Sequence, residues 1–158
     1  MHLTDYRDLT AAQRAQLLDI RLSPEQQRHA GDVESALYLL QACSERQCCL
    51  VMLVEQRPRG LLLLQRGAFL PNWAEPHAAM LIALQVDQEV QGQGLGRACM
   101  QALPGVVRAL WPDIHCLQLS VAPENVAALA LYRATGWVHG GPGYRTPQGE
   151  ELSMTLLL

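Results

Sequence analysis

The fold of this chain is decided by the stretch Val86-Asp87-Gln88-Glu89-Val90-Gln91-Gly92-Gln93-Gly94-Leu95-Gly96-Arg97. An apolar segment ends at Val86, glycines then occupy three alternate positions, and an amphipathic pattern begins at Leu95. Glycines let backbone N–H groups approach an anion without interference from Cβ, and a helix N-terminus adds unpaired donors and partial positive charge. Arg97, in the first helical turn, adds a full charge. Residues 91–96, called the glycine turn below, therefore predict a site for a diphosphate group.

Other patterns that bind phosphates fit the glycine turn less well. The pattern GxxxxGK[ST] is absent, which argues against an ATPase or GTPase. A dinucleotide fingerprint starting at Gly92 needs glycine where the chain has Arg97, and its acidic ribose partner would be Asp113, which precedes the next strand. A turn without a ligand is the remaining alternative, although three glycines in five positions cost conformational entropy that a plain turn does not require.

Hydrophobic periodicity predicts the elements that precede the glycine turn. Thr10 suits a helix N-cap, and a second helical stretch begins near Ser23 and ends at Gly31. A third helix is expected over residues 33–43, with Ser44 continuing its apolar face. Four strands are predicted, over residues 2–7, 48–54, 61–65 and 78–86. In the last strand, the residues expected to share one face are Met80, Ile82, Leu84 and Val86.

A long helix over residues 94–110 is predicted to follow the glycine turn. Pro104 lacks the donor that would reach the Met100 carbonyl, so we expect a kink or break there. Beyond it we predict a strand over residues 114–121, a helix over 124–135 ended by Gly136, a strand start at Trp137, a loop over 139–149 and a strand over 151–158. This order predicts an α/β protein, a single domain spanning residues 1–158, with a central mixed sheet flanked by helices on both faces.

Composition and charge narrow the classes of function. The 158 residues fit one domain, and the net charge is −3. All twelve basic residues are arginines, scattered without a basic run, so we expect no nucleic-acid partner and no Schiff-base lysine chemistry. The opening MHLTDYRDLT lacks the apolar core of a signal peptide, and no apolar run approaches membrane-spanning length. The five cysteines lack paired metal spacings, so we expect buried reduced thiols, no metal site, no membrane partner and a cytoplasmic protein.

A second motif lies downstream of the glycine turn. Val121-Ala122-Pro123-Glu124-Asn125 is followed by Ala128-Leu129-Ala130-Leu131-Tyr132 and by Gly136-Trp137. The two segments, in this order, resemble the acetyl-CoA motif Q/R-x-x-G-x-G/A and the V-x-x-x-N…A-x-x-L-Y…G-F segment of the GNAT N-acetyltransferases. The resemblance covers nearly the whole chain, and that family's element order matches the predicted one.

The resemblance implies an acetyl-CoA-dependent N-acetyltransferase and a set of site residues. The backbone of Leu84, Gln85 and Val86 would pair with the pantetheine arm of acetyl-CoA. The cofactor would be held by the loop of Gln91, Gly92, Gln93, Gly94, Leu95 and Gly96, and its pyrophosphate by the backbone from Gly92 to Arg97. Asn125 would contact the cofactor through its side chain, and Tyr132 would lie near the thioester sulfur as the general acid for the leaving thiolate. The alternative for Tyr132 is packing beside Leu129 and Leu131 in an amphipathic helix.

The general base is left open by the sequence. Some relatives that acetylate protein N-termini use a glutamate on the strand before the asparagine, where this chain has Gln118, which cannot accept a proton. That difference counts against a ribosomal-protein alanine acetyltransferase. The remaining candidates are Glu75, His77, Asp87, Glu89 and His115.

The acceptor is predicted to be a primary amine of a small molecule. Residues 22–30, Leu-Ser-Pro-Glu-Gln-Gln-Arg-His-Ala, weakly resemble the L-x-x-x-Q-x-x-(F/Y/H) segment of bacterial polyamine-type acetyltransferases. Alternatives are acetylation of a protein or peptide, acylation of tRNA, and a non-catalytic acyl-CoA-binding module. A homodimer is compatible with the sequence.

Overall fold

The computed structural model of the protein describes residues 1–40 and 45–158, and in them seven strands and five α-helices. The strands are β1 (His2–Asp5), β2 (Gln47–Val54), β3 (Arg57–Arg66), β4 (Ala78–Val86), β5 (Cys116–Val121), β6 (Val138–Thr146) and β7 (Gly149–Leu157). The helices are α1 (Ala11–Gln16), α2 (Pro24–Ala30), α3 (Val33–Leu40), α4 (Leu95–Leu110) and α5 (Val126–Ala134). Within the described ranges, no helix is long and apolar enough to cross a membrane.

All seven strands form one mixed sheet in the order β1-β2-β3-β4-β5-β7-β6. Each neighbouring pair is antiparallel except β4 and β5, which run parallel. The parallel connection from β4 to β5 passes through α4, as such a connection requires a crossover of a dozen or more residues. The predicted α/β class with a mixed sheet is confirmed.

Helices cover both faces of the sheet, as predicted. On one face, α4 and α5 bury Cys99, Met100, Leu103, Val107, Leu129 and Tyr132 against β4, β5 and neighbouring strands. On the other face, the segment before β2, including α3, buries Leu17, Ile20, Leu22, Val33, Ala36 and Leu40 against β2 and β3. Below, these are called the α4/α5 face and the α1–α3 face.

Local signals placed the N-terminal helices correctly. Thr10 caps α1 through a capping box with Gln13, whose backbone N lies 3.2 Å from Thr10 Oγ1 and whose Oε1 accepts from Thr10 N at 3.0 Å. Gly31 ends α2 with φ +67°, a conformation that glycine adopts without strain. The predicted extension of α3 through Cys43 and Ser44 lies outside the described residues.

The expected break at Pro104 is wrong, because α4 runs unbroken from Leu95 to Leu110. Pro104 removes one helical hydrogen bond. Apolar side chains on both sides of it, Met100 and Leu103 before and Val107 after, are buried against the sheet. The helix continues through the proline because this packing outweighs the loss of a single bond.

The expected loop over residues 139–149 is also wrong, since most of it forms β6. The segment pairs with β7 from Val138 to Thr146, with register shifts around Gly141 and after Pro142. Strand β6 lies at the edge of the sheet, where proline and bulges are tolerated because one side of the strand has no partner. Glycine and proline therefore indicated a loop where the chain forms an irregular edge strand.

The expected alternation along β4 is broken by a β-bulge. Leu63 of β3 pairs with Ala83 and the next residue, Leu64, pairs with Leu81, so Ile82 is the extra residue. As a result Leu81 packs in the core of the α4/α5 face, whereas Ile82 packs against the α1–α3 face. Leu84 lies on the same face as Leu81, three positions away, which an uninterrupted strand does not allow.

Candidate active site

A cleft opens between β4 and β5 because the two strands separate. They pair only at Ala78, Ala79 and Met80, opposite Cys116, Leu117 and Gln118. Beyond Met80, where β4 carries its bulge, the strands do not pair, so each presents an edge to the gap. The cleft has a volume of about 590 Å³ and is lined along these edges by Leu81, Ile82, Ala83, Leu84, Val86, Leu119, Ser120 and Val121.

The glycine turn closes one end of the cleft with the geometry of an anion site. Gly92 and Gly94 have φ of +74° and +83°, and a Cβ on either would meet nothing within 4 Å. Gly94 is the N-cap of α4, and the first helical bond joins Ala98 N to Gly94 O at 2.9 Å. The N–H groups of the first turn therefore have no helical partners and are available to an anion. Both glycines line the cleft, and they are needed for their backbone conformation.

Gly96 lines the same cleft for a different reason. A Cβ at Gly96 would lie 3.3 Å from Leu131 Cδ2 of α5. Glycine at this position lets α4 and α5 approach each other closely beside the glycine turn. The third glycine of the motif thus contributes to helix packing, which spacing in the sequence did not reveal.

Arg97 is an exposed cation in the first turn of α4 that also lines the cleft. It forms no ion pair with any residue that the structure describes. By contrast, Arg59 nearby donates to Asp87 at 2.7 Å and to Glu89 at 3.0 Å. Arg97 therefore leaves a positive charge at the end of the cleft where the helix N-terminus already favours anions.

Two glutamine side chains occupy the cleft edge of β4 at Val86. Gln91 Nε2 donates to Val86 O at 2.8 Å and lies 2.6 Å from the amide of Gln26 in α2. With its amide turned so that the oxygen meets Val86 N, Gln26 accepts from Val86 N at 2.8 Å and donates to Val86 O at 3.1 Å. The Gln26 amide thus makes the two backbone hydrogen bonds that a neighbouring strand would make at Val86, where the sequence predicts pairing with the pantetheine arm.

Gln85 and Gln93, also among the predicted site residues, do not line the cleft. The buried Gln85 side chain donates to Ala30 O at 2.8 Å and to Asp32 O at 3.1 Å, and so holds the junction of α2 and α3 against β4. Gln93 Nε2 donates to Glu89 O at 3.3 Å. Their side chains therefore support the elements around the cleft.

Asn125 lines the cleft and is the N-cap of α5. Its Oδ1 accepts a hydrogen bond from Ala128 N at 3.2 Å, which satisfies one of the unpaired donors at the start of the helix. The amide nitrogen of Asn125 forms no hydrogen bond with the described residues and is left to donate to a ligand in the cleft. One side chain can thus serve both the helix and the site.

Tyr132 of α5 lines the cleft with a side chain that is only 8% exposed. Its ring packs on Trp137 at a centroid distance of 5.6 Å, and its hydroxyl forms no hydrogen bond with the described residues. Burial raises the pKa of Tyr132 above its ordinary range, and the nearby Cys99 raises it further. The phenol therefore stays protonated and can act as a hydrogen-bond donor.

None of the five candidates for a general base lines the cleft. Asp87 and Glu89 are bound to Arg59, and Asp87 is 3% exposed. His77 and His115 stack on each other, with centroids 5.2 Å apart, immediately before β4 and β5. Glu75 also precedes β4, and the strands separate only at their other end.

Residue Gln118, noted in the sequence, is a buried structural group. Its Oε1 accepts from Glu75 N at 2.7 Å and its Nε2 donates to Thr155 Oγ1 at 3.1 Å. The polar side chains that line the cleft without having been assigned to the site are Ser23, Glu25, Gln26 and His29 from the α2 region, and Ser120 and Glu151 from β5 and β7. The resemblance of residues 22–30 pointed to the first group, and no sequence signal pointed to the second.

No group of three or more His, Cys, Asp or Glu residues in the described part of the chain could hold a metal ion. The charged and titratable groups that line the cleft are one arginine, two carboxylates, a histidine and a tyrosine hydroxyl, and the glycine turn adds backbone donors. These groups suit an anionic ligand at the glycine turn and acid–base chemistry further along.

Comparison with known proteins finds one matching family and several solved structures with the same fold. The model of the Acetyltransferase (GNAT) family matches residues 13–137. Among solved structures, the aminoglycoside acetyltransferase AAC(6')-Ib with paromomycin and acetyl-CoA matches at 18% identity and a TM-score of 0.74, over 98% of this chain and 92% of that one. No curated protein matches the chain in sequence.

Two further structures share the fold. A Bacillus subtilis acetyltransferase in complex with CoA matches at 11% identity and a TM-score of 0.71, covering 99% of this chain and 98% of that one. The ribosomal-protein-S18-alanine N-acetyltransferase from Escherichia coli matches at 22% identity and a TM-score of 0.64, covering 99% and 92%. At these identities the likeness concerns the fold, and the substrates of these proteins are their own.

Proposed function

The chain belongs to the GNAT acetyltransferase family, and from this premise we propose that its cleft binds acetyl-CoA and transfers the acetyl group to a primary amine of a small molecule, such as a polyamine. The proposal rests on one observation, that three features line the same cleft. The glycine turn with Arg97 lies at one end, the unpaired edges of β4 and β5 follow, and Tyr132 lines the same space.

The cofactor would be held mainly by backbone groups. Its pyrophosphate suits the N–H groups at the start of α4 and the charge of Arg97. Its pantetheine amides suit the free edge of β4 at Leu84 and Val86, as an added strand would. Gln26 would have to leave Val86 for this pairing to form, and Asn125 would donate from the opposite side of the cleft.

Tyr132 would assist departure of the CoA sulfur. The amine nitrogen attacks the thioester carbonyl, a C–N bond forms, and the C–S bond breaks with its electron pair on sulfur. The neutral phenol can donate a hydrogen bond or a proton to the developing thiolate. Burial favours hydrogen-bond donation because the phenol remains protonated and no described residue competes for its hydrogen.

The acceptor would enter from the α1–α3 face. The cleft is lined there by Ser23, Glu25 and His29, and the one arginine in its lining, Arg97, lies at the glycine turn. The carboxylate of Glu25 lies in this part of the lining, and a carboxylate favours an amine acceptor over an anionic one. Gln118 cannot accept a proton and is held in structural hydrogen bonds, so it supports no role as the base of a peptide N-terminal acetyltransferase.

A thiol-release assay tests the proposal. The protein is mixed with acetyl-CoA and, in turn, spermidine, kanamycin, butylamine, single amino acids and peptides with free N-termini. We expect release of CoA with at least one of the small amines and none without an acceptor. Release with peptides alone would contradict the small-molecule assignment, and binding of acetyl-CoA without release in any mixture would favour a non-catalytic module.

A further inference from the structure

The cleft passes through the sheet, and the two sides of the sheet contribute different chemistry to it. In β5, Leu119 and Val121 pack in the core of the α4/α5 face, so Ser120 between them points to the α1–α3 face. The glycine turn and Tyr132 belong to α4 and α5, on the opposite side. Ser120 and the residue it contacts are therefore placed where an acceptor would meet a cofactor that lies along β4.

The residue that Ser120 contacts is Glu151, near the start of β7. Ser120 Oγ donates to Glu151 Oε2 at 2.5 Å, and Ser120 Oγ accepts from Tyr144 N at 2.9 Å. A Cβ at Gly143 would collide with Ser120 Oγ, so glycine at that position allows β6 to close over the serine. The carboxylate is thus fixed through one oxygen, and its Oε1 makes no hydrogen bond with the described residues.

An aromatic pair adjoins this carboxylate. Tyr144 packs edge-on against Trp73, with ring centroids 5.4 Å apart at 77°. The backbone N of Tyr144 and Glu151 Oε2 both contact Ser120 Oγ, so the two residues lie beside the same atom. The pKa of the Tyr144 hydroxyl is raised by burial and by the negative charge of Glu151.

The other titratable groups that line the cleft are less suitable. Glu25 and His29 of α2 are exposed, and neither is held by a side-chain hydrogen bond among the described residues. Arg97 lies at the glycine turn and Tyr132 on the α4/α5 side. Glu151 is the partly buried acidic group that is fixed in position in this part of the cleft.

Resting on the acetyltransferase function proposed above, we propose that Glu151 binds the ammonium group of the acceptor and accepts its proton, and that the acceptor is therefore a cationic amine. The ammonium gives one proton to Glu151 Oε1. The freed lone pair forms the C–N bond to the acetyl carbonyl carbon, and the C–S bond breaks with its electrons on sulfur. Tyr132 protonates the sulfur and regains a proton from the nitrogen, while the proton on Glu151 passes to solvent. Ser120 is a positioning residue.

The test compares E151Q with E150Q by thiol release from acetyl-CoA with spermidine, kanamycin and butylamine between pH 6 and 9. Gln keeps the bond from Ser120 and removes the charge. Glu150, next in sequence, is 51% exposed and pairs with Arg145 across the hairpin at 3.5 Å, so E150Q changes the net charge equally outside the cleft. Calorimetric binding of acetyl-CoA and the thermal midpoint show that each variant is folded.

We expect kcat of E151Q to fall by roughly 10²–10⁴-fold at neutral pH. The deficit should shrink with rising pH, because the free fraction of an amine with a pKa of about 10 grows about tenfold per pH unit. E150Q should match the unmodified protein, and S120A should show a smaller fall with the same pH trend.

Two results for E151Q overturn the role of Glu151 and leave the acetyltransferase function standing. One is unmodified kcat at every pH, and the other is a deficit that stays constant across pH, which indicates a structural role. If the unmodified protein binds acetyl-CoA but releases thiol with none of the three amines, the proposed function and this assignment both fail.

Discussion

Replacing Tyr132 with phenylalanine isolates the hydroxyl that we assign to the leaving thiolate. The ring packing on Trp137 is retained, and no hydrogen bond with a described residue is lost. The free energy of unfolding should therefore change by no more than about 0.5 kcal/mol. Turnover should fall by roughly 10²–10⁴-fold, which is about 2.7–5.4 kcal/mol in the activation barrier.

Ionisation of Tyr132 makes the free energy of unfolding depend on pH, and the same substitution removes this dependence. Because burial raises the pKa of Tyr132 in the folded protein, folding favours the neutral phenol. This contribution to the free energy of unfolding is complete below the pKa of tyrosine in the unfolded chain, about 10, and is lost as the pH rises above it. Stability of the unmodified protein should thus decline above pH 10 more steeply than that of Tyr132→Phe, as measured by urea unfolding at a series of pH values.

The assay combines thiol release with calorimetric binding of acetyl-CoA, and Tyr38→Phe is the matched control. Tyr38 lies on α3 with 73% of its surface exposed, so its hydroxyl should be dispensable. A loss of turnover with unchanged cofactor affinity identifies a group that acts in the transition state. Full turnover in Tyr132→Phe refutes the reasoning, and a parallel loss of binding and turnover shows a structural tyrosine.

Two further substitutions test the architecture around the cleft. Gln26→Ala frees the backbone N–H of Val86, whose carbonyl still accepts from Gln91, and should tighten acetyl-CoA binding by about two- to tenfold, the worth of a net hydrogen bond, in calorimetry. Weaker binding would show that Gln26 contacts the cofactor. Asp87→Ala removes the buried partner of Arg59 and should lower the free energy of unfolding, measured in urea, by about 1–3 kcal/mol. Glu89→Ala removes the exposed partner of the same arginine and should lower it by less than about 1 kcal/mol. Equal effects of the two would contradict this difference in burial.

The parts of the fold that depend on local chemistry were predictable from the sequence. Thr10 caps α1 and Gly31 ends α2, because capping needs only neighbouring residues. The turn between β4 and α4 and the end of α5 at Gly136, with φ +92°, follow from glycine conformations at fixed offsets. These features set the glycine turn and Tyr132 in place, and they are the parts of the site that the sequence indicated.

The parts that depend on pairing between distant residues were not predictable. The bulge at Ile82 moves Leu81 and Leu84 to one face, and it arises from the register with β3 rather than from any signal in β4. Likewise, the contact between Ser120 and Glu151 depends on β5 pairing with β7. The sequence therefore indicated the part of the cleft that we assign to the cofactor and left the acceptor side open.

Binding of acetyl-CoA by calorimetry to Gly94→Glu and Gly105→Glu tests the central claim most directly. Both substitutions add one carboxylate to the region of α4, but Gly105 is exposed, has open space around it and lies well along the helix. Because φ +83° at Gly94 strains any side chain, thermal unfolding must first show that the variant is folded. Arg97→Ala, which carries no such strain, should weaken binding by about tenfold or more.

We predict that Gly105→Glu binds acetyl-CoA like the unmodified protein and that folded Gly94→Glu shows no measurable binding. Unchanged affinity in folded Gly94→Glu would contradict the assignment of the glycine turn to the pyrophosphate.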